Sequence, residues 1–174
     1  MRLWVIDTGS IIEIRRGVPK VVRGKVLTEL DGRATAGHLI YPPEVVGELE
    51  RAAEEIKSKG QPDLPLAWAK KHEANGTRYG HLLDDAKRVL ARITNLIDPD
   101  KISIDGTDDA DPHVIALTLF VQAEGHEVRI ITEDITTTPR KTAMTDAAGI
   151  FGIGCVRFRT FLISEGIWDG REGT

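Results

Sequence analysis

Leu3-Trp4-Val5-Ile6-Asp7-Thr8-Gly9-Ser10 is the stretch on which the reading of this chain turns. Its four apolar residues before an acid spell a short buried strand with a carboxylate at the C-terminal end. In a parallel α/β sheet, that end is where ligands bind. In a nearly all-β chain the same letters would put Asp7 in a loop between strands. The period of the surrounding sequence decides between the two.

That period is helical. Ser10 to Arg16 reads as a short helix, and Gly17 to His38 shows no clear repeat. Pro42-Pro43 opens a helix through about Lys57, with Pro suited to a first turn and Val45, Val46, Leu49, Ala52, Ala53 and Ile56 in one stripe. Gly60, Pro62 and Pro65 punctuate, a short helix covers Leu66 to Ala74, and a third long one runs from Tyr79 to Ile97. That helix buries Leu82, Ala86, Val89, Leu90, Ile93 and Ile97. Asp111-Pro112 starts a helix with an N-cap acid and a Pro at the first position. Its body from Val114 to Val121 is apolar nearly all round, which predicts a central, buried helix ended by Gly125. A buried strand follows at Val128 to Thr132, then a helix over Thr138 to Ala148, a strand at Cys155 to Phe158 and a last helix at Phe161 to Ser164. Strands alternating with helices predict an α/β fold, a three-layer α/β/α sandwich around a central, mostly parallel sheet. The expectation is one domain over residues 1–165 and a loose tail over 166–174.

The length of 174 residues suffices for one real core, and 41% hydrophobic with 29% charged residues is ordinary globular composition. A net charge of -4 argues against coating nucleic acid by bulk attraction, so a nucleic-acid enzyme would need local basic patches. Cys155 is the single cysteine, which excludes a disulfide framework and a Cys-rich zinc site and fits a reducing cytoplasm. The apolar start is too short for a signal-peptide core, and no run of about 18 apolar residues exists to span a membrane. The expectation is a soluble cytoplasmic protein with no membrane partner.

The acids carry the chemistry. Asp7 follows the first strand and Asp134 follows the strand ending at Thr132, so both project from the carboxyl edge of one sheet. Asp111, at the start of the buried helix, can point to the same edge. Carboxylates gathered there repel one another unless a cation neutralises them. Oxygen-only ligands suit Mg²⁺ or Mn²⁺. The bland account makes each acid a cap or turn residue, and Asp111 before Pro112 explains itself that way. On a helical wheel Glu48 and Glu50 flank the apolar stripe on opposite edges, and neither is chosen by periodicity. Asp108 and Asp109 crowd Asp111 and read as solvated charge.

The order LWVIDT, VVGELE, ADPHVIALTL and VRIITED resembles the PIN-domain nucleases, in particular the small prokaryotic branch of VapC-like toxins from toxin–antitoxin systems. The matching pieces extend from the N-terminus to about Leu162, with no motif in 17–38 or 61–105. The resemblance implies that Asp7, Glu48 before Leu49, Asp111 in Ala110-Asp111-Pro112-His113-Val114-Ile115-Ala116 and Asp134 in Thr132-Glu133-Asp134 are the catalytic and metal-holding acids. It implies a PIN-like fold and a metal-dependent endoribonuclease that hydrolyses RNA phosphodiesters with Mg²⁺ or Mn²⁺. A small antitoxin protein and a second copy of the chain are its implied partners beside the RNA. Gly9 departs from the family, which usually has Asn or Ser two residues after the first Asp, although Thr8 and Ser10 are available to substitute. Glu133 competes with Asp134 for the fourth place. A PIN-like module that binds nucleic acid or a partner without cleaving it is the alternative.

Asp7-Thr8-Gly9-Ser10 also resembles the active-site signature of pepsin-like and retroviral-type aspartic proteases. That chemistry needs two Asp carboxylates sharing a proton. The chain has no second D-T/S-G, so a homodimer would be required, and the helical stripes contradict a nearly all-β frame. Gly149, Gly152 and Gly154 lie between a helix and a strand and read as helix termination. No H-E-x-x-H or G-x-S-x-G is present. For substrate contact, Thr8 and Ser10 flank Asp7, Arg15 and Arg16 follow it, and Arg140-Lys141 follow Asp134. These are candidate phosphate ligands, set against an ordinary solvated face. At 5% aromatics, an extended base-stacking platform is not expected.

Overall fold

The computed structural model describes residues 2–57, 63–79, 82–93, 95–97 and 109–171. Among them the order is β1 (Arg2–Ile6), α1 (Thr8–Arg16), α2 (Lys20–Thr35), β2 (Leu39–Ile40), α3 (Glu44–Lys57), α4 (Leu64–Thr77) and α5 (Leu83–Arg92). Then follow α6 (Ala110–Ala123), β3 (Glu127–Ile131), α7 (Met144–Ile150), β4 (Cys155–Val156) and α8 (Phe158–Ser164). The strands form one all-parallel sheet in the order β2-β1-β3-β4. Helices cover it to make the expected three-layer α/β/α sandwich. Among the described residues, no helix is long and apolar enough to cross a membrane.

Burial follows from topology. Leu3, Trp4, Val5 and Ile6 of β1 are each at most 2% exposed, as a central strand with both faces covered requires. Alternate residues face opposite layers, and Trp4 meets Phe161 of α8 edge-on at 5.0 Å. Helix α6 packs on β1, β3, α3 and α5 and is buried nearly all round. The Thr118 hydroxyl inside it is satisfied by the Val114 carbonyl at 2.8 Å. Gly125 ends the helix at φ 88°, a left-handed conformation that glycine adopts without penalty.

Several elements differ from the sequence reading. The stretch without a period holds α2, whose buried stripe is only Val26, Leu30 and Ala34. That is one residue per turn, too narrow to stand out among Gly, Lys and Arg. Strand β2 is two residues long and pairs with Trp4 and Val5. Helix α5 is shorter than the 79–97 expected and ends at Arg92, with Ile93 extended. Helix α7 begins at Met144 rather than Thr138, because 138–142 forms a turn. There the Thr138 N–H donates to the Lys141 carbonyl at 2.8 Å and the Lys141 N–H to Thr138 Oγ1 at 3.0 Å. Residues 166–171 are docked, not loose: Ile167 and Trp168 are buried, and the Arg159 guanidinium donates to the Gly170 carbonyl at 2.7 Å. Asp108 lies outside the described residues.

Candidate functional site

In the order β2-β1-β3-β4, the chain leaves β1 toward β2 on one side and β3 toward β4 on the other. The β1/β3 junction is therefore the topological switch point, where the diverging connections open a crevice at the carboxyl ends. Ile6 pairs with Ile131 at that end, and the Asp7 N–H donates to the Ile131 carbonyl at 3.1 Å. Asp7 and Thr132 thus emerge side by side.

Asp7 is 4% exposed and caps α1, its Oδ1 accepting from the Ser10 N–H at 2.6 Å. Burial pushes its pKa up, hydrogen bonds from Thr132 and Ser10 oppose the rise, and the Asp134 charge adds to it. Thr8, Gly9 and Ser10 form the first turn of a helix. The protease-like letters therefore serve as a helix cap, in an all-parallel sheet that offers no frame for that chemistry. A Cβ on Gly9 would lie 3.7 Å from Asp7 Oδ1 and 3.9 Å from the Glu133 Cβ, both ordinary contacts. Glycine is not forced at this position, and a Ser or Asn has room for its first carbon.

Thr132 links two of the acids. Its buried hydroxyl accepts the Asp134 N–H at 3.0 Å and stands beside the Asp7 carboxylate, where it opposes the rise of that pKa. Asp134 Oδ2 accepts the Met144 N–H at the start of α7 at 3.2 Å and the Lys141 ammonium at 2.9 Å. The same ammonium lies 2.8 Å from Asp111 Oδ2. Burial works against the Lys141 charge, but Asp111 and Asp134 outweigh it and hold its pKa above the usual lysine range. Asp111 is pushed up to about 8 by burial, with the Asp109 charge adding and Lys141 opposing.

Glu48 closes the arrangement from α3. Its Oε2 accepts the Thr8 hydroxyl, and its Oε1 accepts the Ala110 N–H at 2.9 Å. Burial raises its pKa and Asp109 adds to the rise. The N-cap of α6 is Asp109, not Asp111: Asp109 Oδ1 accepts the Asp111 N–H at 3.0 Å. The helix starts two residues earlier than the Asp-Pro pair suggests, with Pro112 still inside the first turn, where its missing N–H costs nothing. This frees the Asp111 carboxylate to face Lys141.

The open alternatives separate by geometry. Glu50 pairs with Lys70 at 2.6 Å with both side chains 51% exposed, away from the Glu48 contacts. Glu133 Oε1 accepts the Phe158 N–H of α8 at 2.8 Å, so it is Asp134, not Glu133, that shares a cation with Asp111. The expected substrate contacts fare less well. Ser10 is 0% exposed and lies under the site rather than on its surface. Thr8 is engaged by Glu48, and Lys141 by two carboxylates rather than left for a phosphate. Arg15 and Arg16 end α1, roughly 12 Å along the helix from Asp7 at 1.5 Å per residue; Arg15 pairs with Asp63 at 3.7 Å and Arg16 is exposed. Arg140 is exposed on the turn beside Lys141, its N–H donating to Thr138 Oγ1 at 3.3 Å. Sequence reasoning missed the bridging role of Thr132, although its place in Thr-x-Asp was visible.

The donor set is all oxygen and largely buried, a chemistry that fits a hard divalent cation. Among the described residues, no three His, Cys, Asp or Glu side chains are close enough to hold a metal ion as they stand; the cation shown between the acids is the Lys141 ammonium. Compared with family models, curated proteins and solved structures, the chain matches none.

Proposed function

We propose that this protein is a divalent-metal-dependent endoribonuclease of PIN-like type, with Asp7, Glu48, Asp111 and Asp134 as its acids. One observation carries the reading: four distant segments deliver these acids to the β1/β3 switch point, linked through Thr8, Thr132, Ala110 and Lys141. Buried carboxylates gathered at a ligand-binding edge are costly to fold, and a structural role alone leaves that cost without a return. Asp7, Asp111 and Asp134, with Glu48, would hold Mg²⁺ or Mn²⁺, which supplies Lewis acidity toward water and the phosphodiester. The chain's own residues do the rest. Thr132 fixes Asp7 against Asp134, and Glu48 holds the start of α6 so that Asp111 faces inward. Arg140, exposed on the adjoining turn, would contact a backbone phosphate in this reading. An antitoxin-like protein covering this edge, and a homodimer, belong to the same reading.

A second reading has an observation of its own: Lys141 already neutralises Asp111 and Asp134, as in a module that binds RNA or a partner without cutting it. Incubation with single-stranded RNA and DNA in Mn²⁺, Mg²⁺ or EDTA separates the two. Metal-dependent RNA cleavage, lost in EDTA and lowered about a hundredfold or more in Asp7→Asn, supports the nuclease. Asparagine keeps the cap acceptor, so the variant folds. Cleavage that survives EDTA or Asp7→Asn overturns the metal mechanism, and RNA binding without cleavage favours the module.

A further inference from the structure

Lys141 is presented to the acids by a built turn. Thr138 bonds both the N–H and the carbonyl of Lys141. The next residue is anchored twice to Asn95: the Thr142 N–H donates to the Asn95 carbonyl and the Thr142 hydroxyl to Asn95 Oδ1, each at 2.8 Å. The Thr137 hydroxyl accepts the Ala143 N–H at 2.9 Å. With the backbone pinned on both sides, the side chain reaches back to Asp111 Oδ2 and Asp134 Oδ2 at 2.8 and 2.9 Å, and is 30% exposed. A lysine placed only to meet solvent or a phosphate needs none of this.

We propose that Lys141 is a resident counter-cation of the acid site, and that a divalent ion enters only by displacing its ammonium from Asp111 and Asp134. The inference rests on reading these acids as metal ligands. A lysine bound to both carboxylates balances their charge in the ion-free protein, so the site stays folded without metal. It also competes for the same oxygens, so the protein responds only when the ion is abundant. An ammonium is compact, with donors on a flexible stem, and can swing out to solvent when the ion arrives. Released in this way, its charge becomes available to a phosphate at the rim, which joins the two roles the residue can play.

Mn²⁺ titration of the wild type and Lys141→Met, followed by calorimetry and by the paramagnetic resonance of free Mn²⁺, tests this. Removing the competitor is expected to tighten Mn²⁺ binding about tenfold or more. It is also expected to lower the melting temperature in EDTA, with Mn²⁺ restoring it. Because Lys141→Met leaves buried acids unpaired and so weakens the metal-free fold, the wild type supplies a second readout. Amine acetylation mapped by mass spectrometry should label Lys141 slowly in EDTA and faster with Mn²⁺. If the wild type binds Mn²⁺ but Lys141→Met binds no tighter, or Lys141 labelling stays unchanged or falls with Mn²⁺, displacement is overturned and the metal reading stands. If neither protein binds Mn²⁺, both fail.

Discussion

Glu48 accepts the Thr8 hydroxyl and the Ala110 N–H, whereas Glu50, two residues on, pairs with Lys70 in the open. The energetic contrast follows from burial. Glu48→Ala strands the buried N–H of Ala110 and the hydroxyl of Thr8, each costing on the order of 1 kcal/mol or more. Relief of the repulsion with Asp109 offsets part of this, leaving a loss of about 1–2 kcal/mol. Glu50→Ala removes a surface pair and should stay within about 0.5 kcal/mol of the wild type. Urea unfolding of the two variants measures the difference, and equal losses would show that Glu48 does not carry the contact between α3 and the start of α6. The sequence left this choice open because the two residues sit on opposite edges of one stripe, and only the packing partner of each edge distinguishes them. Asp134 and Glu133 pose the same problem. Adjacent residues leave a strand on opposite sides, and the position of α8, which claims Glu133, is not encoded nearby.

Elements were legible where their apolar stripe was wide. Helix α6 is apolar nearly all round and α3 shows a full stripe, so both were read close to their limits; α2 was not, because Val26, Leu30 and Ala34 are its only buried residues. Its attachment is largely polar. Asp31 meets Lys71 at 2.5 Å and His72 at 2.7 Å on α4, and Arg33 meets Glu165 at 2.5 Å. Contacts of this kind leave no period in a sequence. They do leave a pH signature. Burial works against the Asp31 charge, but hydrogen bonds from Lys71 and His72 outweigh it and hold its carboxyl below the ordinary 3.8. Between these two values the unfolded chain binds more protons than the folded one, so stability rises with pH there. The contribution is complete above the unfolded value and disappears as pH falls through the folded one. The stability gap between the wild type and Asp31→Asn should therefore be fully present above the ordinary carboxylate range and close as pH falls below it. A gap that persists unchanged in acid would mean the carboxylate is not what joins α2 to α4.

At the scale of the whole molecule, the acids meet only because the sheet order brings β1 beside β3 and the crossover returns α6 to both. The first strand, the buried helix and the strand before Thr132-Glu133-Asp134 were readable, and so was the shared edge of Asp7, Asp111 and Asp134. The counter-cation was not, since the Lys141 contacts depend on a turn whose anchor, Asn95, lies in a distant segment. A site assembled from such separated parts requires the fold to melt as one unit, and the C-terminal segment tests this from far away. Trp168 is 7% exposed, with the Arg159 guanidinium 5.1 Å from its ring centroid and its indole N–H donating to the Arg171 carbonyl at 2.9 Å. Trp168→Ala should cost about 3 kcal/mol and lower the melting temperature by about 6–12 °C. The variant keeps Trp4, in the strand that ends at Asp7, and Trp68 on α4, so its fluorescence reports on regions outside the altered segment. In a single cooperative unit the fluorescence midpoint falls together with that of the far-ultraviolet circular dichroism. If both midpoints stay at the wild-type temperature, the tail melts on its own, and the strand carrying Asp7 does not depend on it.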